Sequence, residues 1–151
     1  MNENLLDKLD RENISIAKMD RRILAYSVDE IIVSVIFLFA YWNSLVKTAD
    51  NVEQLAMLIS NLMFQITLLK VIYHTFFIWY YGATPGKMIF KIITLDTLML
   101  SKPTFGASAL RACVRILSEW CFYLGFIWAF GNIYRQTWHD RLAKTVVCNA
   151  Y

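Results

Sequence analysis

Two apolar runs, residues 23–42 and 56–80, constrain this chain more than any other feature. At about 1.5 Å of helical rise per residue, each is long enough to cross a hydrocarbon core about 30 Å thick. Each also ends in aromatic residues suited to a membrane interface: Tyr41 and Trp42 in the first, Trp79, Tyr80 and Tyr81 in the second. The 151-residue chain is 58% hydrophobic, against roughly 45–50% for a soluble domain, and it has room for one domain.

The first run carries two adjacent acids, Asp29 and Glu30, where hydrocarbon should be. At the centre of a span Asp costs roughly 2.5–3.5 kcal/mol, while each Leu, Ile, Phe or Val returns only about 0.3–0.6 kcal/mol. Partners must therefore offset the acids. Counting depth from the basic ends of the runs puts Asp29 and Glu30, then Lys70 and His74, in one slab, joined by Glu119 from a third segment. Arg22 and Asp29 share a helix face at i,i+7 with Tyr26 between them, and Lys70–His74 and Arg115–Glu119 are i,i+4 pairs. Asp29 is expected to face Lys70, His74 or a second copy of the chain. Glu30, roughly 100° further round the helix, is expected to face another subunit or the headgroups.

Residues 1–20 read as a polar arm, a short surface helix or partly disordered, ahead of a membrane domain over 21–151. A polar connection covers 43–54. The loop 82–106 opens with a Gly-x-Thr-Pro-Gly turn and continues with β-branched alternation around Lys91. It predicts a strand, a turn near Asp96–Thr97 and a second short strand. TVVCN, 145–149, is another strand candidate, placed to pair with 88–95. Basic residues cluster before the first run and after the second, which puts the N-terminus and the loop in the cytoplasm. The tail, 134–151, carries Arg135, Arg141 and Lys144 and belongs on the same side. The third helical segment, 107–133, is therefore expected to be bent or re-entrant, broken near Leu124–Gly125, and covered by protein. The fold class is an all-α membrane protein with two clear transmembrane helices, that third segment and a small cytoplasmic β element.

Other chemistries fare poorly. GATPGK has three residues between its glycines where a phosphate loop needs four, and Met88 replaces the metal-binding hydroxyl. Lys87 is instead expected against lipid phosphates, with Lys91 and Lys102 as further headgroup contacts. A net charge of +3 does not suggest nucleic-acid binding. Two histidines and three cysteines lack metal spacing, so no metal or other cofactor is expected. Cys113, Cys121 and Cys148 read as buried thiols. His139–Asp140 has no nucleophile in recognisable context, so the chain is not expected to be an enzyme. Asp140 and Arg141 are expected to dock the tail on the basic cytoplasmic segment.

Three stretches resemble the RDD family of bacterial membrane proteins, named for one arginine and two aspartates. Arg22-x-x-Ala25-x-x-x-Asp29 is similar to its first-helix signature, Gly82-x-Thr84-Pro85-Gly86-Lys87 to the turn after its second helix, and His139-Asp140-Arg141 to its C-terminal signature. The resemblance assigns Arg22, Asp29 and Asp140 as the three naming residues. Lys144 stands where it leads one to expect a glycine. Glu30, Lys70 and His74 lie outside the signature. The resemblance implies an inner-membrane location, and cation/proton exchange has been suggested for members.

Two functions follow as expectations. One is transport of a proton or small cation by a homo-oligomer, with Asp29 exchanging, Arg22 modulating its charge, and His74 and Lys70 setting its pKa. The other is a non-transporting assembly factor or anionic-lipid-binding scaffold, with membrane lipids or another membrane protein as partners.

Overall fold

A computed structural model describes residues 5–121 and 124–150. The first long helix, α2 (Met19–Thr48), and the second, α3 (Val52–Tyr81), extend past the apolar runs and absorb most of the expected polar connection. Only Ala49–Asn51 remains between them. Asn51 caps α3, its side-chain oxygen accepting from the amides of Glu53 and Gln54 at 3.0 and 3.2 Å. Both helices are long and apolar enough to cross a membrane. Few of their apolar side chains are covered by the chain: Ile31, Phe39, Phe64 and Ile72 are among many left exposed. A core helix of a soluble domain would bury them, so lipid is the medium that fits this surface.

Gly82 ends α3 in a left-handed conformation (φ 76°), its amide donating to the Ile78 carbonyl. Pro85 then starts a short helix, α4 (Pro85–Ile89), which continues the expected turn and takes Met88 and Ile89 out of the expected 88–95 strand. The strand begins later, as β1 (Ile92–Asp96), and pairs antiparallel with β2 (Thr145–Asn149), Ile93 facing Cys148 and Asp96 facing Thr145. The expected pairing of 145–149 with the loop is therefore present. The second loop strand is not, because the segment after Asp96 turns back on itself: the Leu98 amide donates to the Asp96 side chain and the Ser101 carbonyl accepts from the Asp96 amide.

The polar arm is ordered over its described residues. Helix α1 (Leu5–Arg11) lays Leu5 and Leu9 on one face of the sheet, against Leu95, Val146 and Cys148. Ile16 forms a bridge with Cys148, extending β2's pairing on its other edge. Strand alternation does the sorting. Leu95, Val146 and Cys148 face the arm, whereas Ile92 and Val147 face Ala17 and, on α2, Ala25.

The third segment is α5 (Phe105–Trp120), followed by α6 (Leu124–Ile127), a turn of 3₁₀ helix (Trp128–Gly131) and α7 (Trp138–Leu142). Its break precedes the expected Leu124–Gly125 position, since α5 stops at Trp120. At 16 residues, or roughly 24 Å, α5 falls short of a full span. It packs along α3 with a buried stripe of Ser108, Arg111, Ala112, Arg115 and Ser118, while Leu110 and Leu117 face outward. That stripe explains a correction. Cys113 lies off it and Cys121 beyond it, so both are exposed and only Cys148 is a buried thiol.

Lys144, just before β2, has φ 51°, a left-handed backbone that favours glycine. The departure from the resemblance is thus a residue held in a strained conformation. Replacing Lys144→Gly should raise unfolding stability by about 0.5–1 kcal/mol, read as a higher thermal midpoint in detergent.

Candidate functional site

Three clusters of polar side chains converge where α2, α3 and α5 meet the small sheet. In the first, Asp29 is 1% exposed and saturated. Its Oδ1 accepts from the Tyr73 hydroxyl at 3.0 Å and the Gly86 amide at 2.8 Å, and its Oδ2 accepts from Thr84 at 2.5 Å. This carboxylate ties α2 to α3 and to the Thr-Pro-Gly turn. It does not face Lys70 or His74, as the depth argument expected. Gly86 is required for the approach: a Cβ there would sit 2.9 Å from the Asp29 carboxyl and collide with the Ala25 carbonyl.

The second cluster joins the N-terminus of α2 to the tail. Asp140, with no exposed surface, receives Arg22 on one oxygen and Arg111 on the other. Arg22 also donates to the Arg135 carbonyl, and Arg111 to Thr145 at 2.6 Å. Thr137 and Asp140 form a reciprocal cap at the start of α7. Thr145 and Thr94 lie on the sheet face that looks toward this cluster, the face opposite the arm. Burial alone pushes the Asp140 carboxyl up, but Arg111 and Arg22 outweigh it and hold the pKa well below the carboxylate range. His139 is pushed well below the ordinary imidazole value, first by burial, with Asp140 opposing and Arg111 adding to the depression. Arg141 does not share in the docking; it lies exposed on α7.

The third cluster is a closed square of charges. Lys70 Nζ lies 2.7 Å from Glu30 and 3.1 Å from Glu119, and Arg115 lies 3.2 Å from each of the same two acids. Tyr26 donates to Glu119 at 3.2 Å, and its ring lies 4.5 Å under the Arg115 guanidinium. Arg115 also contacts His74 Nδ1 at 3.0 Å. Glu30 finds its partners within the chain, on α3 and α5. Opposite charges at contact distance lower the penalty of taking each from water.

A cavity of about 340 Å³ lies between α2, α3 and α5, bordered by Arg22, Asp29, His74, Lys87, Arg111 and Arg115. Lys87 points into this region, not toward lipid phosphates: its ammonium donates to Thr94 at 2.8 Å, drawn inward by the short α4 turn. Burial, then Arg111 nearby, depress its pKa well below the usual lysine value. Lys91 is exposed, and Lys102 reaches back to the Tyr80 carbonyl at 3.3 Å. Among the described residues no group of three or more His, Cys, Asp or Glu side chains is arranged to hold a metal ion.

An apolar two-helix hairpin roofed by a polar cap, with its ionic groups paired beneath that cap, defines an integral membrane protein. The family profile described as RDD family matches residues 16–144, so the chain belongs to the RDD family. No characterised protein and no solved structure matches it. The geometry gives the naming residues distinct parts. Arg22 and Asp140 pair directly, whereas Asp29 secures the Gly82–Gly86 turn. Sequence reading missed Tyr73 and Arg111 as partners and underused Arg115. The i,i+3/i,i+4 polar stripe at 108, 111, 115 and 118–119 was the available signal.

Two outcomes are expected. Asp140→Asn leaves two buried guanidinium groups short of countercharge and should cost about 3–5 kcal/mol, or prevent folding, measured by unfolding in detergent. His139 stays neutral when folded but takes up a proton in the unfolded chain below about pH 6.5. Its contribution is intact above that pH and is lost as pH falls through it, by up to about 1.4 kcal/mol per pH unit. Wild type should therefore lose more stability than His139→Gln between pH 7 and pH 5. Asp140 does not confuse the comparison, since its contribution is lost only below the ordinary carboxylate range.

Proposed function

We propose that the protein exchanges protons for a small monovalent cation across the inner membrane, with the charge square as the exchange site. The observation that carries this reading is the position of Lys70. Its ammonium is held between the carboxylates of Glu30 and Glu119, where another monovalent cation would find the same ligands once Lys70 withdrew. Protonation of either acid would weaken the hold and release the cation. Glu30 and Glu119 take the exchanging role in preference to Asp29, whose oxygens already serve three donors. Arg115 holds the two acids in place when Lys70 leaves. Asymmetry of basic residues supports a cytoplasmic N-terminus. Three helices from one copy do not enclose a path, so transport requires a homo-oligomer.

A second reading, a non-transporting assembly factor or anionic-lipid scaffold, draws on the complete internal pairing of the square and on the exposed Lys91. Cation-coupled pH change in proteoliposomes separates the two. Exchange predicts flux with Na⁺, K⁺ or Li⁺ that falls at least tenfold in Glu30→Gln and Glu119→Gln proteins of unchanged unfolding midpoint. Absence of flux in the wild type with all three ions would sink transport and leave the scaffold.

A further inference from the structure

The cavity beside the square carries polar atoms that the protein does not itself satisfy. His74 is 5% exposed and Ser108 1%, and both border the cavity. Arginine has no acceptor, so the contact from Arg115 at 3.0 Å requires His74 Nδ1 to accept. The neutral imidazole then carries its proton on Nε2, and that N–H has no partner among the described residues. The Ser108 hydroxyl also has none. Leaving a buried donor unmade costs about 1–3 kcal/mol, so two around one cavity mark a place where something else accepts.

Charge points the same way. Arg22, Lys87, Arg111 and Arg115 border the cavity, and Asp29 is the one carboxylate on its wall among the described residues. The oxygens of Asp29 are covered by Tyr73, Thr84 and Gly86, and Asp140 is engaged by Arg22 and Arg111. Among the described residues, Lys87 has a neutral threonine hydroxyl as its one partner at hydrogen-bond distance. What faces the space is an excess of donors and positive charge, with Met19, Ile23 and Ile78 supplying an apolar side.

We propose that this cavity binds a phosphate group, accepting from His74 Nε2, Ser108 and Lys87, with its attached apolar or neutral portion lying along Ile23. The site is separate from the cation exchange proposed above and stands whether or not that reading holds. A volume of about 340 Å³ suits a phosphate with a few attached atoms, at the small end of the usual ligand range. The phosphate could belong to an anionic phospholipid or to a soluble ion.

The test uses the full chain in nanodiscs of neutral phosphatidylcholine, titrated with inorganic phosphate or rebuilt with phosphatidylglycerol, reading the thermal midpoint and the lipid retained by mass spectrometry. Stabilisation by phosphatidylglycerol alone identifies a headgroup, by inorganic phosphate alone a soluble anion, and by both a phosphate group sufficient in itself. In each supporting case Ser108→Ala and His74→Gln should weaken binding about tenfold. Ser108 makes no side-chain hydrogen bond among the described residues, so its alanine variant should fold normally and keeps the test decisive if His74→Gln does not. No stabilisation by either source, or equal stabilisation of wild type and Ser108→Ala, overturns the proposal.

Discussion

A charge in a bilayer must be met by donors or by an opposite charge, and the square of Glu30, Lys70, Glu119 and Arg115 is where opposite charge organises this molecule. Each acid touches both cations, so no corner can be removed without exposing its two neighbours. The corners come from three helices. Helix α5, too short to span, is thereby fixed along the hairpin by its polar stripe, leaving its apolar residues to lipid. From that placement the rest follows: α5 carries Arg111 to Asp140, Asp140 holds Arg22, and the tail returns to pair with β1.

The three family segments are cooperative in a physical sense. The aspartate of the first helix is complementary to a turn whose Gly86 amide and Thr84 hydroxyl point at it, and only glycine permits that approach. The arginine of the same helix is complementary to the tail aspartate. One helix thus anchors two distant segments through residues seven positions apart on one face.

The hairpin, the strand pairing of 145–149 and the shared depth of the charges were all legible in the sequence, because apolar run length, β-branched alternation and helical rise are local quantities. Which acid met which base was not. Asp29 and Glu30 are neighbours in sequence, yet one bonds to neutral donors and the other to cations, because the α4 turn reaches one side of α2 and α5 the other. Lys87 shows the same limit. Next to an aromatic interface it reads as a headgroup contact, and only the short helix after Thr84 turns it inward. Backbone conformation was hidden as well. Nothing local to Lys144 signals its left-handed backbone; the family pattern alone hinted at it.

The pairing pattern also bears on the order in which the chain is made. Helix α2 is made before α3, α5 and α7, so Arg22, Asp29 and Glu30 at first lack their eventual partners. Tyr73 and Lys70 arrive with α3, Arg115 and Glu119 with α5, and Asp140 only with α7. A nascent hairpin therefore meets the bilayer with a half-built ionic core. The cost of placing Glu30 and Arg22 within reach of hydrocarbon is therefore fully offset only once α5 and α7 have joined the hairpin, so α2 settles for good only after those later segments have been made.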